Sequence, residues 1–339
     1  MADELLIQSQ DSLVAKIDEA YKQFVLSTEE PPRKYLGASV IGKECDRLLW
    51  YAFRQAFTPD FSGRMFRLFA RGKREEQYFV EMLELIGCKV EHALDDQLWV
   101  NIGPFIGGHP DGIIESGLPG AEKTRHVCEF KTHNDRSFKE LHSKGVQEAK
   151  PEHYTQMQMY CYALGINRWL YMAVNKNNDE LYIERGALDE EFAQKVIERG
   201  ESIILSGRAP VPINADPAFW QCKMCDCNEI CHAMKPIDKD HISCRTCAYG
   251  SPEADAEWHC ALYGEIIPDP SKEYPCHVIH PDMAACWQMR DTGRTGELGY
   301  IVGSSVVRNG GNDGCISSRE LLSSPHYKLA NDFNGEVQR

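Results

Sequence analysis

No apolar run in the 339-residue chain approaches the roughly 18 residues that a membrane-spanning helix needs. The first residues, Met1-Ala2-Asp3-Glu4, are acidic and lack the basic-then-apolar pattern of a secretory leader. A soluble, cytoplasmic protein with no membrane partner is therefore expected. Positive charge is also scarce, at 37 Lys and Arg against 51 Asp and Glu, for a formal net charge of −14. That balance excludes a generally basic nucleic-acid coat, although local patches rather than the sum govern binding. No internal repeat is visible, which argues against a solenoid. Hydrophobic residues make up 42% of the chain, enough to build one large or two modest domains. The 14 cysteines are many for a cytosolic chain of this size. In a reducing compartment, clustered cysteines are more often metal ligands than disulfides.

The hydrophobic pattern predicts helices over residues 3–26 and 64–87, the second with Phe66, Leu68, Phe69, Phe79, Met82 and Leu83 as its apolar set. Strand-like runs follow at 97–102, 105–116 and 126–132, with Gly103-Pro104 punctuating the first two. Residues 151–164 suit a helix. Residues 168–175 and 180–187 suit a hairpin turned by Asn177-Asn178-Asp179, and 188–206 another helix. Three prolines make 207–219 a linker. Nine cysteines lie between 222 and 286 with little regular periodicity. The last fifty residues hold one strand-like run, 300–308, and read as a small β appendage or a flexible tail. The expected organisation is 1–63, an N-terminal helical segment; 64–206, the core; 207–235 and 236–290, two cysteine-rich segments; and 291–339, the tail.

The chemistry starts at Gly108-His109-Pro110-Asp111-Gly112 and Glu129-Phe130-Lys131. Phosphodiester hydrolysis needs an activated water and a counter to the charge on the leaving oxygen, and a metal held by carboxylate oxygens supplies both. Glu129 and Lys131 are two apart on a predicted strand, so they share a face. Phe130 points the other way, into the core, and its backbone carbonyl is a candidate metal ligand. A bare Glu-x-Lys means little, since Glu148-Ala149-Lys150 repeats it in a polar, helix-like stretch. Two further features add to it. Gln156 and Tyr160 lie four apart on one helix face, as do Gln158 and Tyr162 on another. Upstream, Gly72 is followed by Glu76.

Together, Gly72…Glu76, Gly108-His109-Pro110-Asp111, Glu129-Phe130-Lys131 and Gln156…Tyr160 resemble the motifs of the RecB-like branch of the PD-(D/E)XK nuclease superfamily, in the family's order and over residues 64–190. The resemblance implies an α/β protein with a restriction-endonuclease-like core, a mixed central sheet flanked by helices. It implies a Mg²⁺- or Mn²⁺-dependent DNA nuclease, exonucleolytic, acting in recombination, replication or degradation, with a recombination or replication protein as a candidate partner. The branch it is most similar to implies a phage-encoded protein working in the host cytoplasm. In that reading Glu76, Asp111, Glu129 and the Phe130 carbonyl hold metal, Lys131 orients or deprotonates the attacking water, and Gln156 and Tyr160 position metal or DNA. Many relatives carry His where this chain has Glu76; viral and phage-type exonucleases have a carboxylate there.

Cys222-x2-Cys225-x5-Cys231 places two thiolates in one turn and a third nearby, with Cys227 or a distant residue as the fourth ligand. The resemblance to the RecB-like nucleases with an iron–sulfur cluster implies that Cys45 fills that place in a [4Fe-4S] cluster clasping both ends of the catalytic domain. A four-cysteine zinc site using Cys227 is the alternative. Cys244-x2-Cys247-x12-Cys260-x15-Cys276 is a zinc-ribbon-like spacing, with His277 or His280 able to replace the last ligand. Cys88, Cys128, Cys161, Cys286 and Cys315 read as core or incidental residues.

For DNA, Arg64, Arg67, Arg71 and Arg74 form one basic stripe at helical spacing, with Lys73 beside it. A solvated helix face is the alternative. Arg33 and Ser39, with Lys43, are candidates for a terminal phosphate, and Lys176 for a phosphate or simply a turn. Two rival functions remain at this level. One is a catalytically silent DNA- or protein-binding adaptor derived from a nuclease fold; the other is a zinc-only scaffold.

Overall fold

The computed structural model describes residues 2–28, 33–303 and 305–323, without side chains for 2–11. Of the expected tail over 291–339, residues 324–339 lie outside the described residues. Two compact units emerge. The first takes the described residues of 1–33, 37–42 and 60–198, and the second those of 34–36, 43–59 and 199–339. Among the described residues no helix is long and apolar enough to cross a membrane.

The first unit is a mixed α/β layer structure. Its sheet runs β1 (Lys89–Glu91), β2 (Gly112–Ser116), β3 (His126–His133), β4 (Arg168–Asn175) and β5 (Leu181–Ala187), in that spatial order. All neighbours are antiparallel except β3 and β4, which are parallel. A parallel pair needs a crossover connection. Helices α3 (Asp135–Ala149) and α4 (Pro151–Leu164) supply it. They follow α1 (Ala2–Thr28) and α2 (Gly63–Leu85) in the chain.

Local signals explain the boundaries. Ser62 caps α2 by accepting from the Met65 N–H, and Asn134 caps α3 by accepting from the Ser137 N–H at 2.9 Å, each satisfying an orphan donor of the first turn. Pro151 opens α4, where its missing N–H costs nothing. Gly165 closes it at φ +63°, a left-handed cap that glycine adopts without strain.

The core lies between α2 and the sheet. Phe130 stacks on Phe79 with ring centroids 5.2 Å apart, among Val80, Leu83, Ile114, Cys128, Leu170 and Met172. Cys88 and Cys128 sit in this core, and Cys161 is buried as well. Phe130 thus anchors the strand from which Glu129 and Lys131 project to the other face. Helix α4 is buried from Tyr154 through Cys161, and its Gln158 amide is satisfied on both sides. Gln158 donates to Ala187 O at 3.1 Å and accepts from the Asp189 N–H at 2.7 Å.

The second unit draws an early segment into the late chain. Helix Asp46–Phe53 sends the Trp50 indole N–H to Ser206 O at 2.9 Å and the Tyr51 hydroxyl to Asp282 O at 2.8 Å. Arg54, buried, donates to Arg245 O and Gly250 O. Two small antiparallel sheets follow, one of β6 (Gly250–Pro252), β7 (Trp258–Cys260) and β8 (Glu265–Ile266), the other of β9 (Gln288–Arg290), β10 (Glu297–Val302) and β11 (Ser305–Gly310). Inside β10 and β11 the Arg308 guanidinium grips the buried Glu297 carboxylate with two hydrogen bonds.

Three strand expectations need correction. The run 105–116 is two strands, Ile106–Gly108 and β2, in different sheets; Pro110, lacking an N–H, interrupts the ladder between them. The run 97–102 starts later, as Val100–Gly103, after a 3-10 turn at Leu94–Asp96. The run 300–308 is a hairpin, because Gly303 turns the chain at φ +64°.

Candidate active site

Five separated segments of the first unit meet in one cleft of about 610 Å³. Helix α2 contributes Glu76, Gly72, Lys73 and Phe69; the junction after Ile106–Gly108 contributes His109 and Asp111. Strand β3 contributes Phe130, Lys131 and Thr132; α4 contributes His153, Gln156 and Tyr160; and the early segment contributes Arg33 and Ser39. Gly108 explains how two of these come so close. A Cβ there would stand 2.4 Å from the Tyr160 hydroxyl, so a side chain at this position would displace the tip of that tyrosine.

At the floor, Asp111 and Glu129 flank the Lys131 ammonium. Lys131 Nζ lies 3.3 Å from Asp111 Oδ2 and forms an ion pair with Glu129. It also donates to the Phe130 carbonyl at 3.0 Å. Asp111 Oδ2 accepts the Phe130 N–H at 2.7 Å, which fixes the aspartate to the strand. Glu129 is fully buried. Although it is ion-paired, neither of its oxygens accepts a hydrogen bond of good geometry. A buried carboxylate in that condition is costly.

The titration behaviour follows from this crowding. Burial, then Asp111, pushes Glu129 up to about 8, with the Lys131 ammonium opposing. Burial, then Asp111, pushes Glu76 up to about 7. Burial pulls on Lys131 in the neutralising direction, but Asp111 and Glu129 outweigh it and hold the amine above its ordinary range. Lys131 therefore stays an ammonium. It suits orienting a nucleophile and countering charge on phosphorus, rather than removing a proton.

Beside the floor, the Tyr171 hydroxyl bridges His133 Nε2 at 2.8 Å and His153 Nδ1 at 2.9 Å. Burial lowers His133 to about 4 and His153 to about 2, so both rings are neutral. His153 was not among the expected site residues. Its signal was its position three before Gln156, on the same face of α4.

Of the basic stripe, Arg64 and Arg74 are exposed. Arg67 is ion-paired with Asp18. Arg71 pairs with Glu75 at 3.5 Å and donates to Lys176 O. The stripe lysine neighbour Lys73, with Arg33 and Ser39, lines the cleft; the four arginines do not.

In the second unit, Cys45, Cys222, Cys225, Cys227 and Cys231 are electrostatic neighbours. Cys225 and Cys227 sulfurs stand 3.4 Å apart, and the hydrogen bond from Cys227 draws Cys225 down to about 7. Among the described residues, no group of three or more His, Cys, Asp or Glu side chains is placed to hold a metal ion.

No protein-family model matches the chain, and no curated protein sequence does. Solved structures give distant likenesses. An alkaline exonuclease (LHK-Exo) from Laribacter hongkongensis shares 13% identity over 51% of this chain and 87% of its own, with a TM-score of 0.37. Its complex with dAMP gives 14%, the same coverages and 0.36. SSO0001 shares 18% over 63% of this chain and 93% of its own, at 0.37. Likenesses this distant decide neither fold nor chemistry, and the site residues must do so themselves.

Proposed function

We propose that the chain is a divalent-metal-dependent nuclease that hydrolyses phosphodiester bonds in DNA, exonucleolytically. The observation that carries this reading is the cleft floor. There a fully buried carboxylate, Glu129, ion-paired with the Lys131 ammonium but with no hydrogen bond of good geometry, lies beside Asp111, with Glu76, Gln156 and Tyr160 on the walls. Hard carboxylate oxygens in this number suit Mg²⁺ or Mn²⁺. Glu76, Asp111, Glu129 and the Phe130 carbonyl would hold the ion, whose chemistry is to polarise a phosphate and lower the pKa of water. The residues divide the remaining work. Lys131 orients the nucleophile and offsets charge on the phosphoryl oxygens. Lys73, Arg33 and Ser39 meet the flanking phosphates. Gln156 and Tyr160 fix the scissile group by hydrogen bonds.

Purified protein should release label from end-labelled linear DNA only when Mg²⁺ or Mn²⁺ is supplied, and stop on addition of EDTA. DNA left intact in both metals would sink the nuclease reading and favour the silent adaptor.

The first cysteine set fits a [4Fe-4S] cluster in its donor chemistry: thiols drawn together from 45 and 222–231 within one unit, flanked by Arg47 and Lys43. Cys45, Cys222, Cys225 and Cys231 would hold it. The ordering role follows from the topology, since residues 43–59 are separated from 199–323 in sequence by residues 60–198 of the first unit. Cys45→Ser, prepared anaerobically, should lose the brown colour and most of its iron, and melt earlier, because cluster binding is coupled to folding. Wild type free of iron in the same preparation contradicts the cluster.

A further inference from the structure

The second unit holds another thiol set that the proposed nuclease chemistry does not use. Cys244 and Cys247 lie at and just after a 3-10 turn, Cys244–Thr246. Cys260 ends β7. Cys276 lies three residues before Ile279, which forms an antiparallel bridge with Cys247. The backbone itself brings these segments together. Gly250 pairs with Cys260 across β6 and β7. A Cβ on Gly250 would stand 2.1 Å from the Cys244 carbonyl oxygen, so the Cys244 turn rests on the strand beside Cys260. On the other side, the Ala248 N–H donates to Val278 O at 2.8 Å, which ties the 276–279 segment to the same turn. The Val278 N–H points back to Cys247 Sγ at 3.5 Å.

We propose that Cys244, Cys247, Cys260 and Cys276 form a tetrathiolate zinc site, distinct from the first cysteine set and from the carboxylate cleft. Four sulfurs from three short segments are the donor set of structural zinc. All four are free cysteines in the structure. The thiols of Cys247, Cys276 and Cys260 are the neighbours of Cys244. The need for an ion is visible in the size of the local structure. Strands β6, β7 and β8 have three, three and two residues, too small for a sheet that stands without a staple. The ion would tie the Cys244 turn, the end of β7 and the 276–279 segment into one piece.

The test is metal analysis of the full chain grown with zinc and then treated with a mild chelator, which removes ions held weakly by carboxylates. Wild type should keep about one zinc more per chain than Cys247→Ser, a site of four thiolates holding one ion. Cys45→Ser should keep as much of this zinc as wild type. Cobalt loaded in place of zinc should give intense sulfur-to-metal charge-transfer absorption, absent in Cys247→Ser. Cys260→His should retain the ion with weaker charge transfer, which separates loss of a ligand from loss of the fold. Equal zinc in wild type and Cys247→Ser, no zinc in wild type, or iron at these cysteines in its place, would each overturn the proposal.

Discussion

Lys131→Ala should lower turnover on linear DNA by about 10²- to 10³-fold, the scale seen when one preorganised donor is removed from a site of developing negative charge. DNA affinity should change by only a few fold. The ammonium touches Asp111, the Phe130 carbonyl and Glu129 at the floor, while Lys73, Arg33 and Ser39 on the walls carry contacts to flanking phosphates. Turnover by label release and affinity by fluorescence anisotropy therefore separate. The structural cost should be smaller than usual. Removing one partner of a buried ion pair typically costs about 3–5 kcal/mol because a charge is left stranded. Here burial already pushes Glu129 up to about 8, so it answers the loss of Lys131 by taking a proton. A thermal melt of Lys131→Ala near that of wild type, with turnover collapsed, is the expected pair of results. Wild-type turnover in Lys131→Ala would remove Lys131 from the chemistry altogether. Lys131→Arg should not restore activity, since the planar guanidinium cannot occupy a point position between two carboxylates.

The sequence made some of this site legible and hid the rest for physical reasons. The spacing of Glu129 and Lys131 on a strand of β-branched and aromatic residues gave their shared face, and Phe130 does point into the core, against Phe79. The four-residue spacing of Gln156 and Tyr160 gave their common direction, and both line the cleft. Helix 151–164 was bounded by its own proline and glycine signals. Asp111 was harder. It reads as part of one strand because Ile106, Ile113 and Ile114 are apolar on both sides, yet Pro110 breaks the ladder and puts it at a junction. That Lys131 sits between two carboxylates, and that Arg67 and Arg71 are engaged by Asp18 and Glu75, depends on tertiary neighbours that no spacing along the chain encodes. In the cysteine-rich stretch the elements are too short for periodicity to show, so the pairing of Gly250 with Cys260 could be read only from the fold.

Glu129→Gln should stabilise the metal-free protein at alkaline pH while abolishing its activity. Glu129 is fully buried with no hydrogen bond of good geometry to either oxygen. Its folded-state pKa, about 8, lies above the 4.5 of an unperturbed glutamate. Between those values the native state binds more protons than the unfolded chain, so stability falls as pH rises across that window and the loss is complete above about 8. Glu76, raised to about 7 by burial and Asp111, works in the same direction. At about 1.4 kcal/mol per pKa unit, the Glu129 contribution is on the order of several kcal/mol. Glutamine keeps the shape and removes the charge, and Lys131 still faces Asp111 at 3.3 Å, so no new stranded charge appears. Denaturant unfolding of chelated wild type and Glu129→Gln at pH 5.5 and 8.5 tests this. The variant should gain little at the lower pH and several kcal/mol at the higher. An advantage that is absent at pH 8.5, or the same at both values, would show that the buried carboxylate is not under strain. If the gain appears together with loss of DNA hydrolysis, the site is one in which a destabilising charge is kept because the chemistry needs it.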